Sequence, residues 1–279
     1  MQIPVYEKRG YLNEDYRFFA ISAKGLPKMN YHYHEFHKLL FLRDGSAGYS
    51  IEGRHYDLER NDIVIIPAGC VHRPEVEEDN MYSRYVLYVS PSFLKTHSTE
   101  QTELESLFHM SGGSVARTAG DTLGRLKHLF RELEDNEGGS FGNDVLTSGI
   151  VLQITVLLTR WMRGPKISVE GIANDKKILS ILQYINENIH TDLSIDSIAD
   201  EFYISKFHMM RRFREETGYT VHSYITNKRL INAKQLIADG EAATEVCYKC
   251  GFRDYSTFSR AYKKLFDESP AGRRKKEKE

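Results

Sequence analysis

The feature that most limits how this chain can fold is a unit of short helix, turn and second helix that occurs twice between residues 192 and 274. In the first copy, residues 195–202 set Ile195, Ile198, Ala199 and Phe202 at helical spacing, and Tyr203-Ile204 supplies the turn. Ser205 then caps a second helix over 206–217, which Gly218 ends. The second copy starts at 245–250, turns through Gly251-Phe252-Arg253-Asp254, and continues as a helix over 255–266 until 267–270 stops it. Between the copies, residues 221–238 place Ile225, Leu230, Ala233, Leu236 and Ile237 among polar residues, the pattern of an amphipathic helix. At 1.5 Å per residue such a helix is roughly 27 Å long, which brings two basic helices within reach of the ~34 Å repeat of B-DNA. Where the separation falls short of that repeat, the duplex must bend or one helix must dock imperfectly.

The same residues resemble the AraC/XylS family of bacterial transcription regulators. The resemblance is carried by Ile198-Ala199-Asp200-Glu201-Phe202, by Ser205-Lys206-Phe207-His208-Met209 with Phe213 and Gly218, and by Tyr224-Ile225, Arg229-Leu230 and Ala233. It is carried most specifically by the run from Gly251 through Tyr255-Ser256-Thr257-Phe258-Ser259-Arg260-Ala261-Tyr262 to Lys264, followed by Ser269-Pro270. It spans about a hundred residues. Asp267 stands where the family has a glycine, and Arg273 where it has an aromatic residue.

Charge is divided unevenly. Residues 175–279 hold 19 Lys+Arg against 16 Asp+Glu, a balance of +3, and the rest of the chain holds 19 against 23, a balance of −4. The Arg273-Arg274-Lys275-Lys276 tail adds to the basic end and suits phosphate tracking as well as plain solvation. Two of the three cysteines form Cys247-x-x-Cys250, but a zinc site needs a second ligand pair at suitable spacing and none is evident. Both fall on a predicted helix as small core residues, as expected in a reducing compartment. No apolar run reaches the ~18 residues of a membrane span, and no signal segment is visible, so a soluble cytoplasmic protein without membrane contact is expected.

The N-terminal half reads as short strands: 16–21, 39–42, 47–51, 63–66 and 82–89, punctuated by Asp44-Gly45, Glu52-Gly53 and Ala68-Gly69. Many short strands at near-regular spacing imply a small antiparallel barrel or jelly roll. Residues 31–76 resemble a cupin, with His32-x-His34 and then Pro67-x-Gly69-x-x-His72. The acidic position of that motif holds Lys38, and Asn61 and Val76 replace its glycine and asparagine. A metal-dependent cupin needs about three imidazoles and a carboxylate on one cation, and an ammonium at Lys38 would repel that cation. Neither a metal nor another cofactor is therefore expected. The inward set is His32, His34, Lys38 and His72, with Tyr88 a further candidate, and it suits hydroxyls or an anionic group of a small effector. Glu35 and His37 should face the other way on an extended strand.

Two helices follow, one with Leu126, Leu129, Phe130 and Leu133 and one with Ile150, Ile154, Leu157, Leu158 and Trp161 at helical spacing, joined by an exposed loop over 134–143. The resemblance implies a dimer contact for this pair; packing against the barrel is the plainer alternative. Residues 164–174 form a linker, and 178–189 begin the next domain as a helix. The expected architecture is α+β: residues 1–165 a cupin-like barrel with a two-helix dimerisation segment, 166–174 a linker, and 175–279 an all-α domain with two helix-turn-helix motifs.

By motif position, the resemblance assigns base contacts to Phe207, Met210 and Arg211, with Lys206 and His208 beside them and Arg214 on the basic face. In the second helix it assigns Tyr255, Ser256 and Arg260 to bases, with Thr257 and Ser259 available to phosphates. Each arginine suits guanine chelation or a phosphate anchor. Phe213, Phe258 and Tyr262 continue apolar stripes and belong in the core. The implied protein is not an enzyme but a regulator, most often an activator, that binds double-stranded DNA as a homodimer, contacts RNA polymerase and responds to a small molecule such as a sugar. The competing readings are a metal-dependent cupin enzyme fused to a DNA-binding domain, and a dimer that binds DNA without a ligand.

Overall fold

The computed structural model describes residues 12–111, 113–136, 138, 140–164 and 168–272. The basic tail from Arg273 on, Pro165 in the linker, and Glu137 and Gly139 in the predicted loop lie outside the described residues. The chain divides into two compact units, Met1–Ile172 and Ala173–Glu279.

The first unit holds two sheets whose paired strands run antiparallel. The larger contains β1 (Tyr16–Lys24), β2 (His37–Gly45), β5 (Asp62–Ile66), β7 (Met81–Val89), β8 (Ser114–Arg117) and β9 (Ser168–Val169), in the order β1-β7-β2-β5-β8-β9. The smaller contains β3 (Ala47–Ile51), β4 (Arg54–Leu58), β6 (His72–Glu75) and β10 (Ile172–Ala173), in the order β10-β4-β3-β6. Five of the predicted strands are present as β1, β2, β3, β5 and β7. The others gave little signal for a physical reason. β4 carries Arg54, His55 and Asp57, and β6 is four residues long with Pro74, which its place at a sheet edge tolerates.

β2 shows how the unit is layered. Residues 37–42 are all buried because both faces of the sheet are covered. Leu39 and Phe41 join Ile63, Ile65, Tyr85 and Leu87 in a core with helices α1 (Pro91–His97), α2 (Ser106–Ser111), α3 (Gly120–Asp135) and α4 (Asn143–Arg163). Leu40 and Leu42 join Tyr49, Tyr56, Val64, Ile66, Tyr82 and Val86 in a second core between the sheets. A period of two thus gives one strand two different interiors.

The predicted helix pair is α3 and α4, and its apolar stripes feed the first core, with Leu126, Leu129, Phe130, Leu133, Ile150, Ile154 and Leu158 buried. Leu157 and Trp161 are only partly buried. α4 is long and apolar enough to cross a membrane by length and composition, contrary to the reading from the sequence. Its buried Thr155 and Thr159 hydroxyls donate to the Val151 and Thr155 carbonyls of the preceding turn, and its buried face packs into the sheet core. Its first turns leave Val145 and Leu146 exposed.

The second unit is helical: α5 (Lys176–Glu187), α6 (Ile195–Glu201), α7 (Lys206–Thr217), α8 (Val221–Ala238), α9 (Ala243–Lys249) and α10 (Tyr255–Phe266). Caps set its boundaries. Asp175 accepts from the Lys177 and Ile178 amides, and Ser194 and Ser197 form a reciprocal capping box. Ser205, Thr220 and Asp254 cap α7, α8 and α10. Arg229 of α8 donates to the Ile189 and Thr191 carbonyls at 2.8 and 2.6 Å, tying the central helix to the loop before α6. Cys247 and Cys250 are fully buried, and burial pushes both thiols up, Cys250 to about 11. These are the packing residues the sequence suggested.

Candidate functional site

Two surfaces carry the predicted residues. In the helical unit, α6 and α7 meet through a turn in which Tyr203 takes a left-handed conformation at φ 48° and the Ile204 amide donates to the Ala199 carbonyl. The turn aims the start of α7 outward. Met209 and Phe213 fill the core, while Lys206, Phe207, His208, Arg211 and Arg214 are exposed and Met210 is half-buried. Phe207 is 85% exposed, unusual for a phenylalanine. Lys206 pairs with Asp196 at 2.8 Å and Arg211 with Glu215 at 2.8 Å. Exposed pairs like these are worth about 1 kcal/mol or less, so either cation can be released to a phosphate or base. Arg212 is different: it reaches across to the α5 cap Asp175 at 3.0 Å and is a strut rather than part of the free basic face.

α10 repeats the arrangement. Phe258, Tyr262 and Phe266 are buried; Ser256, Thr257 and Arg260 are exposed, and Tyr255 and Ser259 are half-buried. The Arg260 guanidinium folds along its own helix, with Nε donating to the Ser256 carbonyl at 3.3 Å. The left-handed residue of this turn is Gly251, at φ 81°. Sequence reasoning passed over Tyr203 as an exposed residue. It is 93% exposed, and its place four residues before Phe207 was the available signal.

The second surface lies at the mouth and interior of the two sheets. His32 and His72 pair through their backbones at 3.0 and 2.9 Å, and the Gly69 amide donates to the His34 carbonyl at 2.7 Å. These bonds bring three imidazoles together, with ring centroids 4.4 Å (His32–His72), 4.6 Å (His34–His72) and 5.4 Å (His32–His34) apart. Tyr88 lies 5.8 Å from the His34 ring and opposite Lys38 in the ladder. Lys38 is buried, and its Nζ donates to the Tyr49 hydroxyl at 2.9 Å; the Tyr49 ring stacks on His72 at 6.0 Å. All five residues predicted from the sequence therefore meet. Phe36, which stacks on His34 at 4.5 Å, and Tyr49 were missed. His37 faces the other way, stacking on Phe108 at 3.9 Å with Nε2–H donating to Glu105 at 3.2 Å.

Burial first, then Lys38 and His32, holds the His34 imidazole well below its ordinary pKa. Burial first, then His34, Lys38 and His32, does the same to His72. Both rings are neutral at pH 7. Lys38 itself is pushed down to about 7, by burial and then by the Arg84 guanidinium. The nitrogen donors of the three histidines lie within 4.8 Å of one another. Imidazole suits transition metals, but here the charged neighbours of the rings are cations. The set fits a divalent ion poorly.

A buried cluster of imidazoles and one lysine between two sheets, joined in one chain to two helix-turn-helix units, is the arrangement of a DNA-binding regulator with a ligand-binding domain. Residues 18–154 match the family model described as AraC-like ligand binding domain, and residues 198–276 match the model described as helix-turn-helix domain. The chain belongs to the AraC family of transcription regulators. Among curated proteins it is similar to the HTH-type transcriptional activator RhaS of Enterobacter sp. (strain 638), 26% identical over 242 residues that cover 86% of this chain and 85% of the relative. It is likewise similar to RhaS of Escherichia coli (strain K12 / DH10B), 25% identical over 250 residues covering 88% of each. Among solved structures, ToxT from Vibrio cholerae aligns over 92% of this chain and 97% of that one, at 13% identity and a TM-score of 0.36.

Proposed function

We propose that the protein is a cytoplasmic transcription activator that acts as a homodimer, senses a carbohydrate or carbohydrate derivative between its two sheets, and contacts RNA polymerase when bound to DNA. The sensing half of this reading rests on one observation. The interior between the sheets gathers His34, Lys38 and His72 fully buried, with His34 Nδ1 and His72 Nε2 lacking any hydrogen-bond partner. A buried polar atom left unpaired costs about 1–3 kcal/mol. Two imidazoles with unpartnered ring nitrogens beside a buried amine are what the hydroxyls of a polyol satisfy. The relatives named RhaS are activators, which supports that sign of regulation.

For DNA, α7 and α10 each present a basic, polar outer face around a buried apolar stripe, and α8, which connects the two units, is roughly 27 Å long. Lys206, Phe207, His208, Met210, Arg211 and Arg214 read or anchor one half-site, and Tyr255, Ser256, Thr257, Ser259 and Arg260 the next, in successive major grooves. The test is fluorescence anisotropy of the full-length protein on a labelled promoter duplex, with and without a panel of sugars. One sugar that changes the apparent Kd at least tenfold supports the reading. Unchanged affinity across the panel, with unchanged melting temperature, sinks the sensor and leaves a constitutive DNA-binding dimer.

A further inference from the structure

The strand register puts a second cation beside Lys38 that the spacing of the sequence did not flag. On β7, Tyr82, Arg84, Val86 and Tyr88 alternate with Tyr85, Leu87 and Val89, which face the core with the helices, and Arg84 and Tyr88 stand opposite Leu42 and Lys38 of β2. Val86, Leu40 and Leu42 belong to the core between the sheets, so Lys38, Arg84, Tyr82 and Tyr88 line the same interior. Tyr49 and His72 approach it from the smaller sheet. Arg84 is 7% exposed; its guanidinium lies 4.0 Å over the Tyr82 ring and donates to the Tyr82 carbonyl at 3.1 Å.

We infer that this interior binds a hydroxylated carboxylate, an aldonate- or uronate-type sugar acid, with the carboxylate held between Lys38 and Arg84 and its hydroxyls on His72 and Tyr82. The inference rests on the carbohydrate-sensing reading above and narrows its ligand class. Buried charges in folded proteins are paired, because an uncompensated one loses its hydration without return. Here two buried cations share one interior. The groups that act electrostatically on them are each other and the phenols of Tyr49, Tyr82 and Tyr88; among the described residues no carboxylate does so. An arriving carboxylate supplies the missing charge, and Arg and Lys are the side chains that grip it.

The rest of the wall is set for hydroxyls. His72 Nδ1–H donates to the Cys70 carbonyl at 2.9 Å, which fixes its tautomer and leaves Nε2 as a bare acceptor. That Nε2 and the Tyr82 hydroxyl are buried without partners. An acceptor and a phenol beside two cations match a hydroxy acid and match neither a metal ion nor a purely apolar acid.

The experiment is isothermal titration of the full-length protein at pH 6.5 with matched probes: neutral aldoses, the aldonates and uronates of the same carbon skeletons, and zinc chloride. The expected result is that at least one sugar acid binds ten or more times tighter than its neutral parent. In Lys38→Met that ratio falls to near one, while Arg84→Lys, which keeps the charge, retains a preference. Circular dichroism of each variant separates lost binding from lost folding. A neutral sugar that binds as tightly as its acid overturns the inference and leaves carbohydrate sensing standing. Binding of no probe overturns both. Zinc binding that His72→Ala abolishes, with no sugar-acid binding, assigns the interior to a cation instead.

Discussion

Lys38 links the chemistry of the pocket to the stability of the fold. Its folded pKa of about 7 lies below the ordinary 10.5, so between those values the unfolded chain holds a proton that the folded one has released. Unfolded chains that bind more protons are disfavoured as pH rises, so this group adds stability from pH 7 upward, and below pH 7 the buried charge is retained at full cost. The melting temperature should rise between pH 7 and 9 in the native protein and stay flatter in Lys38→Met; equal slopes would show that the ammonium is solvated. His34 and His72, held well below 6.5, have the complementary effect of losing stability as pH falls through 6.5. On the DNA face, Arg260→Ala should cost about 1–3 kcal/mol and relax preference at one base pair if the side chain reads a base. Binding to a library of single-base operator variants checks this, and a uniform loss would make Arg260 a phosphate anchor.

Turns decide how the helices are aimed. A Cβ on Gly251 would approach the His190 carbonyl oxygen to 2.9 Å and the Arg229 guanidinium carbon to 3.0 Å, in a backbone conformation that L-residues avoid. Gly251→Ala should therefore destabilise the helical unit by about 1–3 kcal/mol, read by urea denaturation. Asp267 ends α10 in the left-handed conformation, at φ 59°, a backbone conformation that favours glycine. Asp267→Gly should raise stability by about 1 kcal/mol or less. A fall in the urea midpoint would mean the Asp267 side chain contributes more than its backbone strain costs. At this scale the sequence was informative wherever a residue type has one structural use. Ser205, Gly218 and the 3.6-residue stripes of α7 and α10 were legible, because caps and stripes are local. β4, β6 and β8 were not, because they are four or five residues long, carry few large apolar residues and are stabilised by neighbours distant in sequence. The same limit hid Arg84. Period-two alternation says which residues share a face, but only pairing with β2 shows that the face carries Lys38.

Across the whole molecule, the pieces in hand are a sheet unit with a polar interior and a helical unit with two basic faces. Their assembly as a homodimer is measurable by sedimentation at micromolar concentration. A dimer that dissociates in Val145→Asp or Leu146→Asp, whose side chains are 71% and 58% exposed on α4, would locate the interface on that helix; a strict monomer would remove it. Family membership was legible because the double helix-turn-helix motif is long and specific. The ligand was not, because which inward side chains share one interior depends on strand pairing that a linear sequence does not display.

β2 is a partition one peptide thick. Lys38, Leu40 and Leu42 look into the pocket, and Leu39 and Phe41 look into the helices, where the Phe41 ring lies 5.4 Å from Phe130 of α3. Such a wall cannot be pushed from one side in privacy. Lys38, Leu39 and Phe41 share one strand, so a displacement of that strand on its pocket side is also a displacement of the surface on which Phe130 of α3 packs. The polar interior and the helix pair are two rooms sharing a single door leaf, and what separates them is the thickness of one strand.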